Sequence, residues 1–506
     1  MIQTIFSDWI NNHQFSWEKL GEILSYQPDA PILFSSGLFF FLFMGFLTIY
    51  ICLRTRTLAR IIYVTLFSLY FYYKSSGLWF GLLVFTATSD FLIAQGIARS
   101  RETVHRKLLV ALSLCVNLGM LAYFKYFNFL GELFTLASGG EWTRLQIFLP
   151  VGISFFTFQS ISYVIDVYRK RIQPLSRWID YVFYVSFFPQ LVAGPIVRAR
   201  DFIPQMYKHP TVSRAEFGEG LFLIICGLFK KTIISDYISL NFVDRVFDAP
   251  LLYTGIENLF GVYGYALQIY CDFSGYSDMA IGIALLLGFR FNINFDSPYQ
   301  SATITEFWRR WHISLSSWLK DYLYISLGGN RKGKVRQYLN LMITMLLGGL
   351  WHGASVSFIL WGAIHGISLA IHKFVMSHFS GFKKTGSEMP VARRIAGIFI
   401  TFHLVCFGWI FFRAASIQVV GDMLTQIFTS FHPEVFTQFI VGYKGVFAMM
   451  ILGYLLHFMP KRIENRMRSI VTDSPLLVQA AILALAIFVV IQCKSAGVQP
   501  FIYFQF

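Results

Sequence analysis

Long apolar runs separated by short basic stretches dominate this sequence. The first run covers about Phe34–Leu53, and a helix needs roughly 20 such residues to cross a bilayer. Further runs lie at Ile61–Tyr73, Leu78–Ala98, Leu108–Tyr123, Phe148–Tyr168, Phe217–Ser235, Leu259–Phe289, Tyr338–Leu350, Ala354–Phe374, Ile395–Phe412, Gly445–Met459 and Leu476–Ile491. Spanning barrels would instead show alternating segments of about ten residues. The pattern predicts an all-α, polytopic integral membrane protein with about 11–13 spanning or re-entrant helices.

Three apolar stretches contain residues that interrupt regular structure. Tyr181–Val197 includes Pro189, Gly194 and Pro195, so we predict a re-entrant segment there rather than a simple span. The string CDFSGYSD, at Cys271–Asp278, is predicted to interrupt the longest apolar run. The string KSSG, between the second and third runs, predicts a tight hairpin.

Basic residues mark the predicted cytoplasmic side of the membrane. The hairpin places the loops that begin with Arg54 and Arg99 on one side, which leaves both termini outside. Residues 291–337 are polar and basic, so they are also predicted to be cytoplasmic. This topology puts His312 on the cytoplasmic side and His352 towards the outer face, with a membrane crossing between them.

The chain is predicted to have four parts and no appended soluble domain. Residues 1–30 lack the basic start of a signal peptide, and one helical face is apolar, which indicates an interfacial helix. That face carries Ile2, Ile5, Phe6, Trp9 and Ile10. The other parts are N-terminal transmembrane helices at 31–143, a central core at 144–414 and C-terminal transmembrane helices at 415–506.

The composition supports a membrane protein and excludes several other classes. The chain has 506 residues, of which 56% are hydrophobic and only 14% are charged, against about 25% charged in soluble domains. Its net charge of +15 is explained by the basic loops, so the expected surroundings are membrane lipid and no nucleic-acid partner is predicted. The six cysteines lack CxxC spacing and no HExxH string occurs, so no metal site is predicted.

His352 is the first candidate for chemistry because it ends an uncharged run of membrane length. Ionisable groups at membrane depth are costly, which makes them functional candidates. Gly348, Gly349 and Gly353 allow backbone or substrate to approach closely, and Trp351 adds an aromatic wall. An imidazole can take a proton from a hydroxyl or thiol, or accept an acyl group itself. The structural alternative is a histidine that only satisfies a carbonyl at a helix end.

His312 is the second candidate and lies among aromatic and basic residues. Trp308, Trp311, His312 and Ser316 fall at helical spacing, with Arg309 between them. An interfacial helix explains this composition structurally. The functional interpretation is a cytoplasmic mouth that receives a phosphate-bearing acyl carrier.

Two further groups are candidate substrate-binding or tunnel-lining residues. His365 and Trp361 lie on the segment after His352, so two imidazoles are expected to converge. Asp272, Ser274 and Asp278 form the second group, inside an apolar run. The structural alternative for the two carboxylates is charge pairing. Their possible partners are Lys230, Lys231 and Arg309.

Several long strings resemble the bacterial branch of the membrane-bound O-acyltransferase (MBOAT) family. They are FFPQLVAGPIVRARDF, QIYCDFSGYSDMAIGIALLLGF, FWRRWHISLSSWLKDYLYISLGGNR, LLGGLWHGASVSFILWGAIHG and FGWIFFRA. This branch includes the alginate and peptidoglycan O-acetylation membrane proteins and the D-alanyl transfer protein of teichoic acids. The resemblance covers about Phe148 to Ala414.

The resemblance implies a helical bundle with a transmembrane tunnel, and a catalytic core at 144–414. It makes His352, in the WHG motif, the catalytic histidine and His312, in the RWH motif, the second marked histidine. The implied donor is a cytoplasmic thioester, either acetyl-CoA or an acylated carrier protein, so the donor is a substrate and no bound cofactor is expected. The acyl group leaves on the outer face, often through an SGNH-type esterase-like partner. The implied location is the cytoplasmic (inner) membrane.

The acetylating members fit better than the D-alanyl members, because the chain continues well past the catalytic region. D-alanyl transfer from a carrier protein is the alternative within the family. A non-enzymatic lipid or small-molecule transporter and a scaffold that docks an extracytoplasmic esterase are the alternatives from other classes. Replacing His352 separates an enzyme from a scaffold.

Overall fold

A computed structural model describes residues 17–28, 31–379, 389–493 and 501–502. Within these ranges the regular secondary structure is entirely helical, which confirms the all-α class. Residues 2–10, the predicted interfacial face, lie outside the described ranges. The four-part division of the chain stays a prediction.

The N-terminal region consists of helices joined by short turns. They are α1 (Trp17–Leu24), α2 (Gly37–Leu53), α3 (Thr57–Ser76), α4 (Phe80–Arg99), α5 (Thr103–Leu121) and α6 (Phe127–Ser138). A π-helical turn at Ala122–Tyr126 joins α5 to α6 without a loop. Such i→i+5 turns are rare and occur often at functional sites.

The predicted hairpin between α3 and α4 is wrong. A 3-10 turn at Gly77–Trp79 joins the two helices into one run, and they meet only near this turn. Lys74, Ser75 and Ser76, the residues of the predicted turn, are buried. The ammonium of Lys74 donates to the carbonyls of Ile23, at 2.8 Å, and Ser25 at the end of α1. The side assignment that relied on this hairpin stays a prediction.

The central region contains the longest helix and several short ones. It comprises α7 (Ile153–Tyr168), α8 (Trp178–Ser186), α9 (Phe188–Leu191), α10 (Ala199–Met206), α11 (Arg214–Leu228), α12 (Asp236–Ile238), α13 (Asp244–Asp248), α14 (Gly255–Leu286), α15 (Ile304–Arg310), α16 (Ile313–Trp318), α17 (Lys334–His352) and α18 (Val356–His378). Further π-helical turns lie at Phe229–Ser235, Ser239–Val243 and Leu319–Tyr324. The predicted break in Tyr181–Val197 is confirmed, since helical structure there stops at Leu191 and the following residues are buried.

The predicted interruption at CDFSGYSD is wrong, because α14 continues through it. Gly275 faces α11, where an added Cβ would lie 2.8 Å from the carbonyl oxygen of Gly227. The glycine therefore permits close helix packing rather than a break. The acidic side chains are neutralised by lysines from the adjoining π turn, Asp272 by Lys231 and Asp278 by Lys230.

The C-terminal region packs around α14 and α11. It contains α19 (Val391–Arg413), α20 (Ile417–Thr429), α21 (Phe436–Gly442), α22 (Lys444–His457), α23 (Lys461–Thr472) and α24 (Leu476–Cys493). Beyond these helices, Phe501 is buried against Phe273 and Tyr276, with ring centroids 5.6 and 4.8 Å away. The amide of Ile502 donates to Asp272 Oδ2 at 2.9 Å, so this short segment lies inside the central core.

Several helices are long and apolar enough to cross a membrane. Among the described residues there are four such stretches, Thr57–Arg99, Thr103–Ser138, Val356–His378 and Val391–Arg413. Two bent pairs would raise the number to six; one bends by 93° at Tyr443 and the other by 113° between α23 and α24. One further predicted run, Phe217–Ser235, is divided between an α-helical and a π-helical piece. The multi-pass membrane fold is confirmed, while the number 11–13 and the tunnel stay predictions.

Glycines hold α17 and α18 in close contact just before His352. An added Cβ at Gly349 would lie 2.2 Å from the carbonyl oxygen of Phe358, and one at Gly362 would lie 2.4 Å from that of Met345. The sequence prediction that glycines allow close approach is confirmed, and at Gly349 the approaching group is backbone. This contact fixes the end of α17 against the start of α18.

Replacing Gly349 by Ala should destabilise the fold by about 1–3 kcal/mol, the usual effect of overpacking. The added methyl cannot be accommodated without separating α17 from α18. Thermal unfolding of the purified protein in detergent measures the change. Gly45→Ala, in α2, is the matched control, because no described atom lies within 4 Å of a Cβ added there. This variant should not lower the melting temperature. Equal melting temperatures for the two variants would contradict the packing argument.

Candidate active site

His352 is the last residue of α17 and is buried among aromatic rings. Only 2% of its surface is exposed. The rings of Trp351, Trp361 and Phe412 lie edge-on to its imidazole, with centroids 5.0, 5.0 and 5.2 Å away. These residues come from α17, α18 and α19, so three helices build the pocket around the histidine.

His312 is buried, so its predicted place at an open mouth is wrong, while the cytoplasmic side assigned to it stays a prediction. The helix that begins with Ile304 ends at Arg310, and His312 adopts a left-handed backbone (φ 42°, ψ 56°) before α16 starts. Histidine is one of the few residue types that enter this region repeatedly. The turn directs the ring inwards, where it is fully buried against Phe273, 4.6 Å away.

The hydrogen bonds of Asn294 define the tautomer of His312. The Asn294 amide nitrogen donates to Ser277 Oγ at 3.1 Å, while its Oδ1 accepts from the Ser314 amide at 3.2 Å. That same Oδ1 lies 3.1 Å from His312 Nδ1, so Nδ1 carries the hydrogen. His312 Nε2 has no hydrogen-bond partner among the described residues and is therefore a buried acceptor.

His312 and His352 belong to one cluster, and the predicted membrane crossing between them is wrong. The ring of Trp351 contacts both imidazoles, with its centroid 6.1 Å from that of His312 and 5.0 Å from that of His352. His365 joins the same cluster through Trp361, whose ring contacts both His352 and His365. The long stretch of sequence between His312 and His352 does not separate them in space. The chain turns back at His312, and α17 returns so that its end lies beside His312.

His365 extends this cluster on the next helix. Its ring is fully buried, with Trp361 at 4.7 Å and Trp308 at 5.2 Å. Within the part of the chain that the structure describes, both nitrogens of His365 lack a hydrogen-bond partner, as do the indole nitrogens of Trp361 and Trp308. The expected convergence of the His365 and His352 imidazoles is confirmed, with Trp361 between the two rings.

The remaining candidates around His312 lie at different depths. Trp311 is buried against Trp409, 5.0 Å away, while Arg309 is exposed on α15. Ser316 donates to the Trp311 carbonyl at 3.1 Å and so stabilises the turn. The single helix predicted from Trp308, Trp311 and Ser316 is instead two short helices meeting at His312.

Asp272, Ser274 and Asp278 lie on α14, the helix whose Phe273 contacts His312. Lys231 Nζ is 2.5 Å from Asp272 and 2.8 Å from Asp236. Ser274 is buried. The charge pairing that the sequence offered as the alternative is confirmed for Lys230 and Lys231, and these ion pairs stabilise the core. A role in substrate binding stays a prediction.

Sequence reasoning missed two residues that hold the end of α17. Lys125 Nζ donates to the carbonyls of Trp351, at 2.8 Å, and His352, at 2.9 Å. Tyr126 Oη donates to the carbonyl of Leu350 at 2.7 Å. A lone lysine in an apolar run was the available signal, since cations inside membranes are functional candidates.

A small cavity borders His352. Its volume is about 40 Å³, and its walls include Lys125, Val151, Ser154, Val192, Trp351 and His352. A larger cavity of about 680 Å³ lies elsewhere, between the ends of α2, α14 and α24, and none of its walls comes from the histidine cluster. The small cavity is the better candidate for chemistry because His352 and Lys125 are among its walls.

This arrangement can carry out proton transfer in a site shielded from water. His352 can take a proton from a hydroxyl or thiol placed in the cavity. Among the described residues, no group of three or more His, Cys, Asp or Glu side chains is placed to hold a metal ion. The buried histidines, the helix-end lysine and the multi-pass fold define a membrane protein with a buried histidine cluster beside a small cavity.

Comparison with known proteins identifies the chemistry of this class. Residues 171–414 match the family model described as MBOAT, membrane-bound O-acyltransferase family. The chain is 41% identical to a probable alginate O-acetylase AlgI of Pseudomonas aeruginosa over 405 residues, 79% of this chain and 75% of that protein. It is 36% identical to the corresponding protein of Pseudomonas putida over 500 residues, 94% of this chain and 100% of that protein. It is 37% identical to a peptidoglycan O-acetyltransferase of Helicobacter pylori, covering 79% of this chain and 80% of that protein.

The chain belongs to the membrane-bound O-acyltransferase family, and it is an acyltransferase. The family predicted from its motifs is therefore confirmed.

Proposed function

We propose that this protein transfers an acetyl group from a cytoplasmic thioester to a hydroxyl on the outer side of the inner membrane. The donor would be acetyl-CoA, used as a substrate without any bound cofactor. The acceptor would be an extracytoplasmic polysaccharide, or an SGNH-type esterase-like partner that completes the transfer. Support comes from the similarity to O-acetylating proteins and from the cavity that borders His352.

The observation that carries the mechanism is the position of His352 at the wall of a small cavity. His352 takes the proton of the acceptor hydroxyl as the oxygen attacks the thioester carbonyl. The new C–O bond forms, the C–S bond breaks, and the leaving thiolate receives the proton from the imidazolium. The products are the ester and the free thiol. Attack by His352 itself, giving an acyl-imidazole, is the alternative for the same residue.

His312 acts next to His352 rather than at a separate cytoplasmic entrance. Its Nδ1 is committed to Asn294, so Nε2 is the nitrogen that can accept a hydrogen bond from substrate. Both imidazoles contact the Trp351 ring, so they border one site. His312 therefore orients a substrate hydroxyl or thiol while His352 moves the proton.

Inside-out envelope vesicles from a strain lacking this chain, with and without the restored gene, test the proposal. Acetyl-CoA labelled in the acetyl group is supplied to the exposed cytoplasmic face. Label should appear in ester linkage within the vesicles, together with free CoA thiol, only when the chain is present. A labelled D-alanyl carrier protein is the parallel donor and should give no transfer.

Three outcomes would contradict the proposal. Label recovered inside as intact acetyl-CoA would indicate a transporter. Transfer from the D-alanyl carrier alone would indicate the other branch of the family. Full transfer by a His352→Ala variant would leave only a scaffold that docks the true enzyme.

A further inference from the structure

The π turn at Ala122–Tyr126 holds the helix that ends in His352. Lys125 Nζ lies 2.8 and 2.9 Å from the last two carbonyl oxygens of α17, and Tyr126 Oη lies 2.7 Å from the one before. The last carbonyls of a helix have no partner within it, and cations at this end are favoured. Lys125 therefore fixes the backbone that carries His352.

Lys125 also lines the cavity that His352 borders. An ammonium has three N–H donors, and two of those on Lys125 go to the carbonyls of Trp351 and His352. The third remains for a group inside the cavity. Tyr126 makes a similar contact to the same helix end but does not line the cavity.

The size and walls of the cavity define what fits. A cavity needs a volume of roughly 10–15 Å³ to hold one water molecule. The cavity beside His352, at about 40 Å³, therefore holds a group of only a few heavy atoms. Leu149, Val151 and Val192 give it apolar walls, with Lys125 and His352 as polar groups. An acetyl group has this size, one apolar methyl and one carbonyl oxygen.

We propose that this cavity is the acyl pocket and that Lys125 donates its third N–H to the acyl carbonyl oxygen. This inference rests on the proposed function of His352. As the acceptor oxygen bonds to the carbonyl carbon, the carbonyl electrons move onto that oxygen, and Lys125 stabilises the developing charge. The electrons on this oxygen then re-form the carbonyl double bond as the C–S bond breaks, and His352 delivers the proton to the sulfur.

The pocket also selects the acyl group. A longer chain exceeds the space beside Val192, and a D-alanyl group would bring a second ammonium close to Lys125. Like charges in a confined site are unfavourable. The pocket thus favours a short, uncharged acyl group, which links the acetyl assignment to specific side chains of this protein.

The first test compares Lys125→Met with Tyr126→Phe in the purified protein, using acetyl-CoA and a soluble hydroxyl acceptor. Removing one preorganised donor to an oxyanion lowers kcat by about 100-fold or more. Lys125→Met should show this loss with little change in KM for the donor. Tyr126→Phe loses a contact to the same helix end and should stay within about tenfold of wild type. Lys125→Gln, which keeps an N–H donor, should fall between them.

The second test measures chain-length selectivity, which a purely structural role of this region would not change. Val192 is buried, and Val192→Ala widens the pocket. One methylene in an apolar pocket changes specificity by about 10–200-fold. The ratio of kcat/KM for propionyl-CoA over acetyl-CoA should therefore rise at least about tenfold in this variant.

The outcomes separate this inference from the proposed function. Equal kcat losses in Lys125→Met and Tyr126→Phe, or an unchanged propionyl-to-acetyl ratio in Val192→Ala, would overturn the acyl pocket while leaving His352 in place. An active His352→Ala variant would overturn the proposed function itself. If Lys125→Met does not fold, Lys125→Gln and Val192→Ala still decide the question.

Discussion

Replacing His352 by Ala should lower acyl transfer by at least about 100-fold, because a positioned proton-transfer group contributes roughly two to four orders of magnitude. The loss should appear in kcat, since the imidazole acts mainly in the transition state. His352 lies at the end of α17, where Lys125 binds its backbone carbonyl rather than its ring. The backbone contacts should therefore survive the substitution. Turnover of labelled acetyl-CoA by the purified protein measures the effect.

A second histidine provides the control for this experiment. His403 lies on α19, and its ring bonds to Tyr263 Oη at 2.8 Å and to the Phe399 carbonyl at 2.8 Å. His403→Gln should retain activity within about twofold of wild type. Melting temperatures of both variants should stay close to that of the wild type. An active His352→Ala variant, or an inactive His403→Gln variant of normal stability, would show that the catalytic assignment is wrong.

Replacing Lys231 by Met should destabilise the fold by about 3–5 kcal/mol, the usual effect of leaving a buried charge uncompensated. Lys231 and Asp272 are both nearly inaccessible, with 5% and 3% of their side chains exposed. Lys231 is also 2.8 Å from Asp236, so its loss leaves two carboxylates close together. Asp272→Asn keeps the ion pair between Lys231 and Asp236. It should therefore destabilise the fold less, by about 1–3 kcal/mol.

An exposed ion pair gives the reference for this series. Arg144 and Glu132 form an ion pair, with 77% and 35% of their side chains exposed. Such pairs contribute about 1 kcal/mol or less, so Arg144→Gln should leave the melting temperature nearly unchanged. Thermal unfolding in detergent should give the order Lys231→Met, Asp272→Asn, Arg144→Gln from least to most stable. Equal stability of the first and last would mean that the buried pair does not support the core.

The position of His352 could be predicted because its signal is local. An apolar run that ends in WHG places a histidine at a helix end, and α17 ends there. The packing of Gly349 against α18 follows from the same short stretch. The family could likewise be predicted, because its motifs are long and contiguous in the sequence.

The environment of His312 could not be predicted, because it depends on one backbone angle and one distant partner. Helical spacing of Trp308, Trp311 and Ser316 favoured a continuous helix, but His312 reverses the chain with φ 42°. Asn294, 18 residues earlier, then holds the ring. Nothing in the local pattern identifies an asparagine in a polar loop as the partner of a buried imidazole.

The sequence marks Lys125 as unusual but does not indicate which residues it contacts. A single cation within an apolar run was present in the sequence, but snorkelling to the membrane surface explains such residues equally well. Its partners, the carbonyls of Trp351 and His352, lie 226 and 227 residues further along the chain. At CDFSGYSD the local glycine and acidic residues predicted a break in the helix, but α14 is continuous there. Ion pairs with Lys230 and Lys231 neutralise the two carboxylates.

The π turn before α6 limits how this helix can change in length during evolution. An i→i+5 turn accommodates one residue more than an α-helical turn, and each residue in an α-helix rotates by about 100°. Deleting one residue within Ala122–Tyr126 would restore α-helical spacing and turn Lys125 away from α17. An insertion of one residue would do the same in the other direction. Sequence drift on this helix is therefore restricted to substitutions, and a single-residue gap in an alignment here would mark a relative whose helix end is held differently.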